Sequence, residues 1–364
     1  MLFLTLLTLL QAALLLFFYV TFQKAYKLWS KQNVPNIKPQ FPMGNLNFSI
    51  MEENFAGVIQ KIYNKFKQSN KTDGFGGLFF LNKPVLLVLT PAFARIVLAS
   101  DFQYFTNRGV FFDKVGDPLS ANLFFIENND WKQLRGRMTP AFTLNKIKNM
   151  FTPLRCIGDE LVIYLQSVAF ANSLNSGTEI TEFLFRFNTD VIGSCAFGLE
   201  CNTLNESNSE FREIGRKMLQ FNRVKLFSLY VAMLFRRQAQ FLGYRLIDKD
   251  VSEFIRNVVK NTIAFRQANN VHRNDFLQLM IDLLGDGVDQ MSVDDIAANV
   301  FVFFFAGFET SSTTMSYALY ELAQNLDVQE KVRHEIQSIC KKNGEFTYDG
   351  LTEMTYLDQV INGK

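Results

Sequence analysis

The sequence predicts a mainly α-helical fold with a small β-sheet, carried behind one N-terminal transmembrane helix. Three observations predict it. An almost unbroken apolar run occupies Leu2 to Phe22. Two short apolar runs, Gly77 to Leu81 and Val85 to Leu89, flank Asn82-Lys83-Pro84 and read as a β-hairpin. From Pro91 onward helical patterns dominate, with a capping signal at Ser292-x-x-Asp295 just ahead of a strongly apolar stretch.

The first run is interrupted only by Thr5, Thr8, Gln11 and Thr21, and about 21 residues suffice to cross a bilayer as one helix. A cleaved signal peptide would need a charged start, a shorter apolar stretch and a small-residue cleavage site, and none stands out. Lys24, Lys27, Lys31 and Lys38 follow, and no acidic residue occurs before Glu52. That positive flank puts the bulk of the chain in the cytosol. Pro35, Pro39 and Pro42 then predict a stiff, extended hinge over Val34 to Asn45. Further on, Lys225 to Ile247 mixes Leu, Phe, Tyr and Met with Arg236 and Arg237. Such a segment suits a membrane surface, or equally an amphipathic helix packed on the core. The helix begun at Ser292 is expected to run through Val300 to Phe308 and on to about Gln324. Another follows over Asp327 to Lys342, ended by Asn343-Gly344. The organisation expected is an anchor over 1–23, a basic, proline-rich hinge over 24–45 and one large domain over 46–364.

Composition excludes several classes. Lys+Arg 37 against Asp+Glu 35 leaves no whole-chain electrostatic case for nucleic acid. Cys156, Cys195, Cys201 and Cys340 are scattered, forming neither a disulfide framework nor a zinc site, and most of them read as small buried hydrophobes of a reducing compartment. The apolar stretch Val300 to Phe308 is too short to span a membrane, which argues against a multi-span transporter. The 39 phenylalanines fit a bulky core or a greasy ligand cavity.

Two sets of residues suggest chemistry. Trp131 and Arg135, at i and i+4, share one helix face and offer donors suited to carboxylates. Ala306-Gly307-Phe308-Glu309-Thr310 sets an acid and a hydroxyl at the end of a very apolar run. Burying that Glu is costly unless it has partners or water, and Gly307 lets something approach the backbone closely. The pair is a candidate proton-delivery device; the alternative is a Glu pointing to solvent.

Taken in order along the chain, these features resemble the cytochrome P450 family. Trp131-Lys132-Gln133-Leu134-Arg135 matches its W-x-x-x-R, and Ala306 to Thr310 matches its [AG]-G-x-[DE]-T. The hinge resembles the proline-rich segment behind the microsomal anchor. Phe102 to Gly109, Thr139 to Thr143 and Thr189 to Gly198 are similar to the insect xenobiotic-metabolising members. The resemblance implies the P450 fold and a haem-thiolate monooxygenase carrying haem b. Such an enzyme oxidises small lipophilic compounds, xenobiotic or endogenous, with O2 and an NADPH-dependent reductase, on the endoplasmic reticulum membrane. By position, Trp131 and Arg135 would hold a haem propionate, and Ala306 and Gly307 would line the distal haem face. Glu309 and Thr310 would relay protons to the dioxygen being activated. Phe111, Phe112, Phe124, Phe304 and Phe308 would wall the substrate cavity, and Lys132, Arg137, Lys146 and Lys148 would help dock the reductase.

The family's pattern is not carried to its end. Gly363 stands where the glutamate of E-x-x-R is expected, and none of the four cysteines sits in the Phe-Gly-rich loop of the axial ligand. The expectation is a C-terminally incomplete domain with no metal-ligating residue of its own. Such a chain is inactive alone, and apolar surface is left exposed. Gly363-Lys364 can be encoded like an intron's donor site, so a retained intron or an incomplete gene model would account for it. The other readings are a non-catalytic, membrane-anchored short isoform that binds lipophiles or the reductase, and a product that is made and degraded.

Overall fold

The computed structural model describes residues 2–45, 55–69, 74–171, 179–206, 209–219, 222–283 and 291–363. The expected domain start at 46 and the terminal Lys364 lie outside them. The longer helices are α1 (Leu2–Ala25), α2 (Phe55–Gln68), α3 (Asn128–Met138), α4 (Leu144–Ala171) and α5 (Ile180–Ile192). They continue with α6 (Glu210–Leu219), α7 (Arg223–Leu234), α8 (Lys249–Asn269), α9 (Val293–Gln324) and α10 (Leu326–Asn343). Strands β1 (Phe75–Phe80) and β2 (Lys83–Val88) pair antiparallel, with Phe75 opposite Val88 and Phe80 opposite Lys83. The mainly helical class with a small sheet is thus borne out. The hairpin begins two residues earlier on each side than the apolar runs suggested, because Leu81, at φ 48°, already makes the turn. The chain divides into two compact units, Met1–Arg108 and Gly109–Lys364.

In the first unit α1 is long and apolar enough to cross a membrane, and its most apolar stretch is not buried. Its last turns join the hairpin: Phe22, Tyr26 and Phe79 form one buried cluster, with Trp29 against it. The hinge is extended only in part. Pro35 O accepts from Gly77 N–H at 2.7 Å, while residues 41–45 turn back so that Asn45 Oδ1 accepts from Phe79 N–H at 2.7 Å. Proline-rich extended backbone leaves carbonyls unpaired, and the edge of a two-stranded sheet supplies their donors. Gly77 is required here, since a Cβ would sit 2.5 Å from Trp29 Cγ while the indole N–H donates to Leu78 O at 2.8 Å.

The second unit is built around α9. Ser292 Oγ accepts from Asp295 N–H at 3.1 Å, and the Asp295 carboxylate accepts from Ser292 N–H at 2.9 Å. This is the reciprocal cap that the sequence signalled, and it satisfies two otherwise orphaned donors. The helix then runs to Gln324, as expected. Ala297, Val300, Phe301, Phe304, Phe308 and Ser312 make its buried stripe, spaced by threes and fours. Each large apolar side chain there contributes about 1.5–3 kcal/mol by leaving water. This helix too is long and apolar enough to cross a membrane, but just over half of its most apolar stretch, 56%, is buried in the protein, the mark of a core helix. α5 packs along it, with the Phe185 and Phe308 rings 5.1 Å apart. Ile255, Val259 and Ile263 of α8 complete the core. At its edge Arg266 donates to both Asp275 oxygens, at 2.9 and 2.6 Å, both side chains being buried. Lys225 to Ile247 is not one helix: α7 ends at Leu234, a short helix spans Arg236–Phe241, and Gly243 turns the chain at φ 69°.

Candidate functional site

A cavity of about 310 Å³ opens beside α9 in the second unit. Phe301, Val302, Phe305, Ala306 and Thr310 face it from α9. Their spacing selects a helix face adjoining the core stripe, with Phe301 shared between the two. The Phe301 and Phe305 rings stack nearly parallel, with centroids 6.3 Å apart. Opposite walls come from Phe124 and Phe125, from Met218 of α6, from Leu229 of α7 and from Leu246 and Ile247 before α8.

The last two are held by a buried carboxylate. Asp117 Oδ2 accepts from Leu246 N–H at 2.8 Å and Ile247 N–H at 3.0 Å. Oδ1 has no hydrogen-bond partner; the Arg245 guanidinium stands 3.6 Å away. Burial pushes the Asp117 carboxyl above the usual range, against the pull of those two N–H groups and Arg245. The charged groups of the lining are held in ion pairs. Lys225 Nζ donates to the two Asp248 oxygens at 2.9 and 2.8 Å, and Lys217 Nζ to Asp250 at 2.7 Å.

The sequence-derived residues distribute unevenly around this site. Ala306 and Thr310 line the cavity, and Thr310 Oγ1 donates to Ala306 O at 2.6 Å. Glu309 is exposed, so the cost of burying it does not arise. Gly307 admits a close neighbour, as expected, but the neighbour is α5: a Cβ would lie 2.6 Å from Ile192 Cδ1. Of the five phenylalanines anticipated as walls, only Phe124 lines this cavity. Phe304 and Phe308 are wholly buried on the core stripe, three and seven residues from Phe301. Phe111 is buried with Ala232, Ala239 and Leu246, and the Phe112 ring lies 4.0 Å from the Arg236 guanidinium carbon. Trp131, half-buried, and Arg135, exposed, sit one turn apart on α3 as expected. Among the basic residues proposed for docking, Lys148 already pairs with Asp349 at 2.8 Å, Lys132 is exposed, and Lys146 and Arg137 are half-buried.

The sequence reading missed Phe301, Val302, Phe305, Asp117 and the Lys225–Asp248 pair. The aromatic spacing was visible, but two equally apolar stripes run along α9, and only packing tells which faces the core.

A haem needs an apolar strip, donors for its carboxylates and an iron ligand. Exposed Ala306 and Thr310, one turn apart on α9, suit the first, and Trp131 with Arg135 the second. No cysteine described is prepared for the third. Burial pushes the Cys201 thiol up to about 12 and the Cys195 thiol up to about 11, which disfavours the thiolate. Cys156 is exposed on α4 and Cys340 half-buried on α10. Among the described residues no cluster of His, Cys, Asp or Glu forms a metal site. The chemistry of Ala306, Thr310, Trp131 and Arg135 therefore fits a haem, and the iron-ligand role is unmet by the described residues.

Comparison with known proteins bears on this geometry. The family model described as Cytochrome P450 matches residues 39–362. Probable cytochrome P450 6a20 of Drosophila melanogaster is 39% identical over 344 residues, 93% of this chain and 68% of that protein. Cytochrome P450 6a2 of the same fly is 38% identical over 352 residues, 94% of this chain and 69% of the relative. Cytochrome P450 6A1 of Musca domestica is 36% identical over 341 residues, 92% of this chain and 66% of the relative.

Proposed function

Because the chain belongs to the cytochrome P450 family, we propose that its cavity receives a small lipophilic compound, xenobiotic or endogenous, for insertion of one oxygen atom from O2. The observation that carries this reading is the apolar cavity walled by Phe301 and Phe305 and reaching Ala306 and Thr310 of the family's signature run. When bound, haem b supplies the oxidation, with electrons from an NADPH-dependent reductase. The chain's own residues bind and orient. Phe124, Phe301 and Phe305 exclude water from the ligand, and Trp131 and Arg135 would hold a haem carboxylate. Thr310 Oγ1 carries a proton that it donates in a hydrogen bond to Ala306 O, and the exposed Glu309 carboxylate can exchange protons with bulk water. Gly307 serves the packing of Ile192 and, through it, the placement of Ala306.

We propose further that α1 anchors the protein in the endoplasmic reticulum membrane with the bulk of the chain cytosolic. The anchor covers 1–23, the hinge 24–45 and the monooxygenase domain 46–364. Exposed Phe241 and Leu242, beside Arg237, suit a lipid surface.

The cysteine environments support a second reading for this polypeptide by itself, a membrane-held lipophile binder without turnover. One preparation tests both. The 364-residue chain, expressed in membranes with haem supplied, is expected to bind a neutral fluorescent lipophile. Phe305→Trp, which fills the cavity, should weaken that binding about tenfold. The reduced protein is expected to lack the thiolate-type band with carbon monoxide. Binding indifferent to Phe305→Trp would sink the cavity reading; a thiolate-type band would sink the reading of the isolated chain as a mere binder.

A further inference from the structure

The cavity's few polar groups are all already matched. Lys225 stands in the first turn of α7, where its N–H bonds Asn222 Oδ1 at 2.8 Å, and Asp248 immediately precedes α8. Their ion pair, with both carboxylate oxygens engaged, bridges two wall elements at the rim. Lys217, the second cation of the lining, is held by Asp250 at 2.7 Å and Glu213 at 3.3 Å. Thr310 spends its hydroxyl proton on Ala306 O. A ligand that brings a charge into this lining loses its water and meets no uncommitted counter-charge; to gain one it must break an existing pair. An uncharged ligand meets aromatic rings and the methylene stems of the lysines at no such cost.

We propose that the Lys225–Asp248 pair is a specificity filter. It keeps the rim charge-balanced, so that the cavity takes compact hydrocarbon-like lipophiles and rejects acids and amines of the same size. The volume of about 310 Å³ sits at the small end of ligand cavities, which restricts the choice to compact molecules. The inference rests on the reading that this cavity holds lipophiles.

Removing either partner should retune the filter in a direction set by what is left behind. Lys225→Met leaves the Asp248 carboxylate at the rim, and the cavity should then favour cations. Asp248→Asn leaves the Lys225 ammonium, and it should favour anions. Lys217 does not substitute, because it is already committed to Glu213 on its own helix and to Asp250 on α8.

The test uses the full chain in lipid nanodiscs and displacement of Nile red by butylbenzene, phenylbutyrate and phenylbutylamine. Each value is corrected for partition into protein-free discs. The native chain is expected to bind butylbenzene about tenfold tighter than the acid or the amine. Lys225→Met should raise amine affinity about fivefold without helping the acid, and Asp248→Asn the reverse. Equal binding of the three by the native chain, or the same ranking in both variants, overturns the filter while the cavity reading stands. If butylbenzene fails to displace the probe and Phe305→Trp leaves probe binding unchanged, the cavity reading falls and the filter falls with it.

Discussion

Asp117 shows how one side chain shapes a cavity it does not line. Its carboxylate holds the backbone of Leu246 and Ile247, whose side chains form the wall. Burial raises its pKa above the ordinary carboxylate value. Between those two values the folded protein keeps a proton that the unfolded chain has released, so stability falls as pH rises through that window. Asp117→Asn carries no charge at any pH and lacks this dependence. The stability of the native chain relative to the variant should therefore be highest in acid and decline as pH rises from the ordinary carboxylate value through the raised one, as read by chemical denaturation at several pH values. The cysteines make a second residue-scale prediction. At about pH 8 an alkylating reagent should modify exposed Cys156 quickly and leave Cys201 intact until denaturant is added, as mass spectrometry would show. The thiols illustrate the reach of sequence reasoning: their scatter ruled out a zinc site, but which of them is buried depends on neighbours far along the chain.

At the scale of the element, α9 carries the site on one stripe and the core on another. Its start, length and end were legible, because a capping box and a run of apolar residues are local signals. The assignment of phenylalanines to stripes was not legible, because Phe304 and Phe305 look alike until Phe197 and Phe211 pack on one of them. A buried polar knot sets the register between α5 and α9. Asn188 Nδ2 donates to Ser312 Oγ at 2.7 Å, and Ser312 Oγ donates to Phe308 O at 2.7 Å. Ser312→Ala strands the Asn188 amide in the interior and should cost about 1–3 kcal/mol in urea unfolding. Adding Asn188→Leu removes the stranded group and should recover part of the loss, since apolar replacement of both partners approaches neutrality. A double variant as unstable as the sum of the singles would show that the knot contributes nothing beyond two separate losses.

For the whole molecule the decisive asymmetry is charge around the apolar N-terminal helix. Lys24, Lys27, Lys31 and Lys38 lie on one side of an apolar helix, with no acid near them to offset the bias. Glycosylation tags at the two ends are expected to report a lumenal N-terminus and a cytosolic C-terminus. Replacing Lys24, Lys27 and Lys31 by Gln while adding lysines ahead of Leu2 should raise the fraction with the opposite orientation. The same lysine-rich stretch belongs to a compact unit of its own, because the hinge is bonded to β1 and Phe22 and Tyr26 pack on Phe79. The proline spacing announced rigidity without announcing this partner.

What the sequence by itself determined is what local rules govern: the apolar N-terminal helix, the hairpin, the capped helix and the signature runs at Trp131 and Ala306. Helix capping, proline geometry and residue periodicity act within a few positions, so they can be read without a fold. Only the tertiary structure decided which aromatic stripe of α9 meets the cavity, what fills the space above Gly307 and which carboxylate pins the wall. It also decided that Lys225 and Asp248, 23 residues apart, close the rim as a pair. Those outcomes depend on contacts between distant segments, and one-dimensional spacing carries no record of which buried face or charge will meet which partner.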